Sequence, residues 1–174
     1  MGKIYCIIGK SGSGKSTIEK LLEKKGLKRI ISSTTRPKRE GEQEGIDYHY
    51  VTDEEFKTLQ ENNTLLEETI YNNWHYGVDT EYNQLDLKNN NYIIVIEPHG
   101  YRQLLKTIGS NSLICIYLTV NDKERIIRSL NREINPDVKE ICRRLLSDEE
   151  LFKDFEKQAD YVFENTNAYE IADK

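Results

Sequence analysis

The chain has 174 residues, of which 37% are hydrophobic and 32% charged, with a formal net charge of -5. That length suits one compact core with small inserts, and the acidic balance excludes a general nucleic-acid or membrane-surface binder, whose footprint would be net basic. No run is long or apolar enough for a signal h-region or a spanning helix, so the protein is expected to be soluble and cytoplasmic. Three widely spaced cysteines, Cys6, Cys115 and Cys142, lack C-x-x-C spacing and are expected to be buried thiols in a reducing compartment.

In chain order, Lys3–Ile8 is a short apolar run that reads as a buried strand. Lys15–Lys25 follows as a helix with Ile18, Leu21 and Leu22 on one face, and Lys28–Ile31 is the second strand. Residues 32–81 break the rhythm. They are polar, rich in Tyr and Gly, and carry one short helix after Thr52, where Thr-Asp-Glu-Glu resembles a capping box. Alternation resumes with a strand at Tyr92–Glu97, a helix at Gly100–Ile108 and a strand at Leu113–Leu118. Helices at Asp122–Arg132 and Asp137–Lys157 are densely charged, with Arg125, Arg128, Arg132, Arg143 and Arg144, and Tyr161–Glu164 is the last strand. Apolar strands alternating with helices predict an α/β fold with a parallel sheet covered on both faces.

Gly9-Lys10-Ser11-Gly12-Ser13-Gly14-Lys15-Ser16 satisfies G-x-x-x-x-G-K-[ST] between a strand and a helix, which identifies the core as a P-loop NTPase type. Glycines let successive N–H groups converge on one anion, and the helix N-terminus adds its dipole. In this motif Lys15 reaches the β- and γ-phosphates of ATP and the Ser16 hydroxyl ligates Mg²⁺. The predicted ATP site is therefore Gly9, Lys10, Ser11, Gly12, Ser13, Gly14, Lys15, Ser16 and Thr17. Glu97, where a strand should emerge beside this loop, is a candidate to hold a metal-bound water. A solvated acid at a strand end is the competing reading.

Ser32 to Val51 combines hydroxyls, Arg36, Arg39 and tyrosines around turn glycines; Arg grips phosphate at two points, and Tyr and Ser add neutral donors. Its Ser-x-Thr-Thr-Arg-Pro, Gly-Glu and Gly-x-Asp-Tyr elements resemble, in order and spacing, the signature of the guanylate kinase family. The resemblance continues through Phe56, Leu65-Leu66-Glu67, Tyr76-Gly77, Gly100, the arginine-bearing hairpin and Tyr161-Val162-Phe163-Glu164-Asn165. It implies transfer of the γ-phosphoryl group of ATP to GMP or dGMP with Mg²⁺. It implies Ser32, Arg36, Arg39, Tyr48 and Tyr76 as ligands of the GMP phosphate, Glu67 as the carboxylate that reads the base, and Glu97 on the acceptor side. Arg128, Arg132 and Arg144 resemble the lid arginines, and Asn165 sits where the family approaches the ATP base.

Glu67 has a chemical rationale: guanine presents N1–H and N2–H₂ side by side and one carboxylate accepts both, whereas adenine offers a lone pair there. The acid Glu68 beside it leaves open an exposed helix-flank role. A phosphate monoester is already a nucleophile near neutral pH, so the predicted catalytic set is cationic: Lys15, Arg36, Arg39, Arg128, Arg132 and Arg144. His49, His75 and His99 carry no role. For the lid arginines, pairing with nearby acids along a helix face is the competing reading.

The resulting division is core 1–31, GMP-binding mixed α/β lobe 32–81, core 82–121, helical lid 122–157 and core 158–174. The implied partners are small molecules, neither nucleic acid nor membrane, and the implied state is monomer or homodimer. Two positions depart from the family pattern: Val78 replaces a Ser or Thr able to donate to guanine O6, and Val95 replaces an acid. They keep open a same-fold kinase for another phosphate ester, such as a sugar phosphate. A non-catalytic guanylate-kinase-like interaction module is the third possibility.

Overall fold

The structure, a computed structural model, describes residues 2–38, 41–71, 73–132 and 134–174. Strand β1 (Ile4–Gly9) leads into α1 (Lys15–Lys24) and β2 (Lys28–Arg29). The insert supplies β3 (Ser33–Thr34), β4 (His49–Tyr50), α2 (Asp53–Glu61), β5 (Leu65–Tyr71), β6 (Trp74–Asp79) and the single turn α3 (Thr80–Asn83). Next come β7 (Tyr92–Val95), α4 (Pro98–Ile108), β8 (Leu113–Thr119), α5 (Asp122–Leu130), α6 (Val138–Leu151), β9 (Tyr161–Glu164) and α7 (Ala168–Ala172).

The core sheet is parallel, in the order β2-β7-β1-β8-β9. With a period of two, successive residues of β1 feed opposite faces. Ile4, Cys6 and Ile8 pack with Tyr101, Leu104 and Phe155, while Ile7 packs with Ile18, Ile93, Leu118 and Ile171. Both faces are thus covered, as expected for strands apolar throughout. The carboxyl end of the central strand opens into the glycine-rich loop, the place where such sheets bind ligands.

A second, mixed sheet runs β4-β3-β6-β5. Its helix α2 starts at a true capping box: the Thr52 hydroxyl accepts the Glu55 N–H at 3.1 Å and Glu55 accepts the Thr52 N–H at 2.7 Å. The edge strand β5 is covered by α4. There the Gln103 side-chain amide accepts the Glu68 N–H at 2.8 Å and donates to the Glu68 carbonyl at 2.7 Å. Thr107, one turn on, donates to the Leu66 carbonyl at 3.1 Å. Side chains of a helix therefore supply the bonds a neighbouring strand would have made, and they tie the lobe to the core.

Several expectations shift. The helix expected over Asp137–Lys157 stops at Leu151. Asp154 adopts φ 57°, and a short 3-10 turn, Phe155–Gln158, then drops Phe155 into the core. The helix expected from Gly100 begins at Pro98, whose missing N–H costs nothing in a first turn. The preceding strand therefore ends at Val95, and Glu97 becomes the N-cap. Cys142 is exposed on α6, against the expectation of three buried thiols; Cys6 and Cys115 are buried side by side across β1 and β8. Among the described residues no helix is long and apolar enough to cross a membrane.

Candidate active site

Gly12 and Gly14 take φ of 77° and 87°, the left-handed region that favours glycine. Space demands the same residue. A Cβ on Gly12 would stand 2.6 Å from the Arg125 carbonyl oxygen, and one on Gly14 would collide with the Asn165 amide. Lys15 opens α1, and its ammonium donates to the Gly9 carbonyl at 2.6 Å and the Lys10 carbonyl at 3.2 Å. Burial pushes that ammonium down to about 8; Asp148 opposes the fall, and Arg125, Arg132 and Arg144 add to it. These four charges therefore lie within electrostatic reach of Lys15. Ser16 and Thr17 are exposed in the first turn of the helix, and Ser13 is buried beneath the loop.

The outer side of the loop is held by other elements. Asn165, expected near the ATP base, is buried just after β9, and its Nδ2 donates to the Ser13 carbonyl at 2.7 Å. The Ser11 N–H donates to Asp148 at 2.7 Å, and Arg125 Nε donates to the Ser11 carbonyl at 2.9 Å. Lys10 pairs with Glu149 at 2.6 Å.

The mixed-sheet insert assembles a second cationic cluster around Arg36. Buried Arg36 donates to both Glu42 oxygens at 2.8 and 2.9 Å and to the Pro37 carbonyl at 2.8 Å. Its guanidinium lies 5.4 Å from the centre of the Tyr48 ring and 5.9 Å from that of Tyr50. Tyr48 meets Tyr76 edge-on at 5.9 Å. Thus β3, β4 and β6 bring Arg36, Tyr48 and Tyr76 together, although Arg36 and Tyr76 are 40 residues apart in sequence. Ser32 is half-buried before β3, and its carbonyl accepts the His49 N–H at 3.0 Å. Arg39 lies outside the described residues.

Glu67 is not the exposed helix-flank acid that Glu68 suggested. It sits on β5, 5% exposed, and accepts the Val78 N–H, while Glu68 points outward. Its carboxylate presses on Gly100, where an added Cβ would stand 2.6 Å from Oε2. Burial first, then the charges of Glu97 and Glu68, push the Glu67 carboxyl up to about 8. Glu97 accepts the Thr69 hydroxyl at 2.6 Å, so β5 engages this acid as well. Val78 is fully buried in the core and Val95 is half-buried.

In the charged hairpin, Arg128 pairs with Glu124 at 3.0 Å and donates to the Asn165 carbonyl at 3.1 Å. Arg144 pairs with Glu140 at 2.8 Å, and Arg132 is exposed in the turn after α5. The pairing with an acid four residues back that competes with a phosphate role is thus present for Arg128 and Arg144. The sequence reading missed Arg143, which pairs with Glu140 at 2.7 Å and donates to the Tyr71 hydroxyl at 3.0 Å, joining the hairpin to β5. It also missed Glu42, Tyr50 and Thr69, and the Arg125–Asp148 pair. Acid-to-arginine spacings of three and four residues signalled Glu140; nothing local signalled Asp148.

The family model described as guanylate kinase matches residues 1–174. The chain is 37% identical to the guanylate kinase of Mycoplasmoides gallisepticum over 88% of this chain and 85% of that one. It is 31% identical to the guanylate kinase of Fusobacterium nucleatum over 95% and 89% of the two chains. Among solved structures, guanylate kinase from Anaplasma phagocytophilum superposes with a TM-score of 0.75 at 26% identity, covering 99% of this chain and 81% of that one. A gluconokinase from Sinorhizobium meliloti, at 15% identity and a TM-score of 0.56, shares the fold alone.

Proposed function

Because this chain belongs to the guanylate kinase family, we propose that it transfers the γ-phosphoryl group of ATP to the phosphate of GMP or dGMP, giving ADP and GDP or dGDP. The observation that carries the acceptor assignment is Glu67: a buried carboxylate on the lobe that also presents Arg36, in a chain with a complete phosphate loop. Its ionised form matches the paired N–H donors of guanine, so GMP binding would release the proton that burial holds on this carboxyl in the free protein below about pH 8.

Lys15 would exchange its two loop carbonyls for the β- and γ-phosphates. Arg36, with Arg39, would hold the acceptor phosphate. In the structure Nη2 of Arg36 alone donates to both Glu42 oxygens while Nη1 donates to the Pro37 carbonyl, so Glu42 and Pro37 would yield these donors to the GMP phosphate. Tyr48, Tyr76 and Ser32 would add neutral contacts around it. Arg128, Arg132 and Arg144 would neutralise the transferring group as the lid, 122–157, and the lobe, 32–81, draw together and exclude water. Asn165 would serve ATP through the Ser13 carbonyl that it holds.

The residues present suit magnesium. Exposed Ser16, in the first turn of α1, offers the hard oxygen donor such a cation takes along with phosphate oxygens. Ser16 would ligate it and Glu97 would reach it through water. The ion would supply charge neutralisation at the β- and γ-phosphates. The setting is the cytoplasm, with small molecules as partners and a monomer or homodimer as the working unit.

Val78 favours one other reading, a same-fold kinase for a different phosphate ester, since its buried side chain has no donor for guanine O6. A panel of nucleoside monophosphates and sugar phosphates, assayed with ATP and Mg²⁺, separates the two. GMP and dGMP should exceed AMP in kcat/KM by about 10²-fold or more. Preference for a sugar phosphate would overturn the assignment, and turnover of none would point to an interaction module.

A further inference from the structure

Among the described residues Arg125 is the bulkiest fully buried side chain, 1% exposed, although it belongs to the charged hairpin. It reaches the phosphate loop. Its Nε donates to the Ser11 carbonyl at 2.9 Å, Nη1 to Asp122 at 2.6 Å and Nη2 to Asp148 at 2.9 Å. Asp148, 4% exposed on α6, accepts the Ser11 N–H at 2.7 Å with the same Oδ2 that receives Arg125. One ion pair, drawn from both helices of the hairpin, therefore grips the N–H and the C=O of a single loop residue. The next residue, Gly12, packs on the main chain of Arg125 itself.

Energetics make this pair unusual as mere cement. Two charges taken out of water recover their desolvation cost only with good geometry, and apolar residues of similar volume commonly stabilise as well or better. What apolar residues lack is a bond to the Ser11 main chain. The pair also sets direction: Glu140, Arg144 and Asp148 recur every four residues and line one face of α6, so anchoring Asp148 fixes Arg144 one turn away. Charges of Asp148, Arg125 and Arg144 are all felt at Lys15.

We propose that Arg125 and Asp148 are positioning residues for phosphoryl transfer: they hold the phosphate loop in its binding shape at Ser11 and hold α6 so that Arg144 stands over the donor site. The proposal rests on the kinase reading for its effect on rate, but not for its effect on nucleotide binding. Only the tip of the hairpin beyond this anchor is then free to swing.

Asp148→Ala would leave a buried guanidinium without its partner and can simply unfold, so the double variant Arg125→Met/Asp148→Leu carries the test, with Asp148→Asn beside it. The readouts are thermal denaturation, calorimetric affinity for ADP, and kcat with separate KM values for ATP and GMP. The double variant should melt within a few degrees of the parent, lose about tenfold in ADP affinity and about 10- to 100-fold in kcat, and keep its KM for GMP. Asp148→Asn should show the same split at smaller amplitude, and it decides the matter alone if the double variant does not fold. Parental ADP affinity and kcat in a folded variant would overturn the proposal, and so would equal losses toward ATP and GMP, the mark of a merely structural role. Should the parent protein fail to phosphorylate GMP, the ADP affinities still decide: a loss supports the positioning role, and no loss rejects it.

Discussion

Replacing Glu67 by glutamine separates what this residue costs the fold from what it does for recognition. Its carboxyl is pushed from an ordinary 4.5 to about 8, by burial first and then by Glu97 and Glu68. The native state thus keeps a proton that the unfolded chain gives up above about pH 4.5. Stability is full below that pH, falls as pH rises, and levels off once pH passes the native value of about 8. Linkage with these two values gives a loss of about 1 kcal/mol by pH 5 and about 3 kcal/mol by pH 7, a difference of about 2–3 kcal/mol. Glutamine has no such proton to lose. Urea denaturation of parent and variant at both pH values should therefore show the variant gaining, relative to the parent, about 1–2 M in midpoint between pH 5 and pH 7, for a slope of roughly 1–3 kcal/mol per M. The same change turns an N–H₂ group toward guanine donors, so kcat/KM for GMP should drop by about 10²-fold and the preference over AMP should shrink. A midpoint gap that ignores pH would refute the buried, proton-holding carboxyl. An undiminished preference for GMP would refute base reading by Glu67.

Two further outcomes are expected. The Lys15 ammonium, lowered to about 8, loses its charge in the free protein above that pH, so ATP affinity should be level to about pH 8 and then weaken by about tenfold per unit. Calorimetry from pH 7 upward checks this, with Lys15→Arg as a control that stays charged and shows a flat, weaker profile; a flat parental profile would contradict the buried ammonium. Gly12→Ala combines φ 77° with a Cβ 2.6 Å from the Arg125 carbonyl oxygen and should destabilise the protein by about 1–3 kcal/mol in chemical denaturation. A variant as stable as the parent would show that α5 does not rest on the loop.

Local signals were read well where function and geometry lie in consecutive residues. Gly9 to Ser16 carries its own turn glycines, its lysine and its flanking strand and helix, so loop and parallel core were legible together. Arg36, Tyr48 and Tyr76 became legible as a set only through the family resemblance, since three strands bring them into contact. Glu67 was harder. Adjacent acids look alike in a sequence, and only the pleat of β5 turns Glu67 inward and Glu68 outward. Asp148 was illegible: it begins the acidic run Asp148-Glu149-Glu150, and its partner amide at Ser11 is 137 residues away. Arg125 was lost among five arginines of one charged stretch. The end of α6 was missed because Asp154 takes a left-handed turn with no glycine or proline to announce it.

The Gln103 bridge between α4 and β5 reaches further than tying one lobe to the core. Glu97 stands at the N-cap position of α4 and β5 carries Glu67, so the two acids stand on elements stapled to each other. Helix α4 also packs Tyr101 and Leu104 with the β1 residues of the core, so β5 is held to the core as one body with it, and the distance between the two carboxylates is kept whatever the rest of the insert does. On the proposed function, guanine would meet walls already assembled, and closure would deliver the phosphate rather than build the chamber.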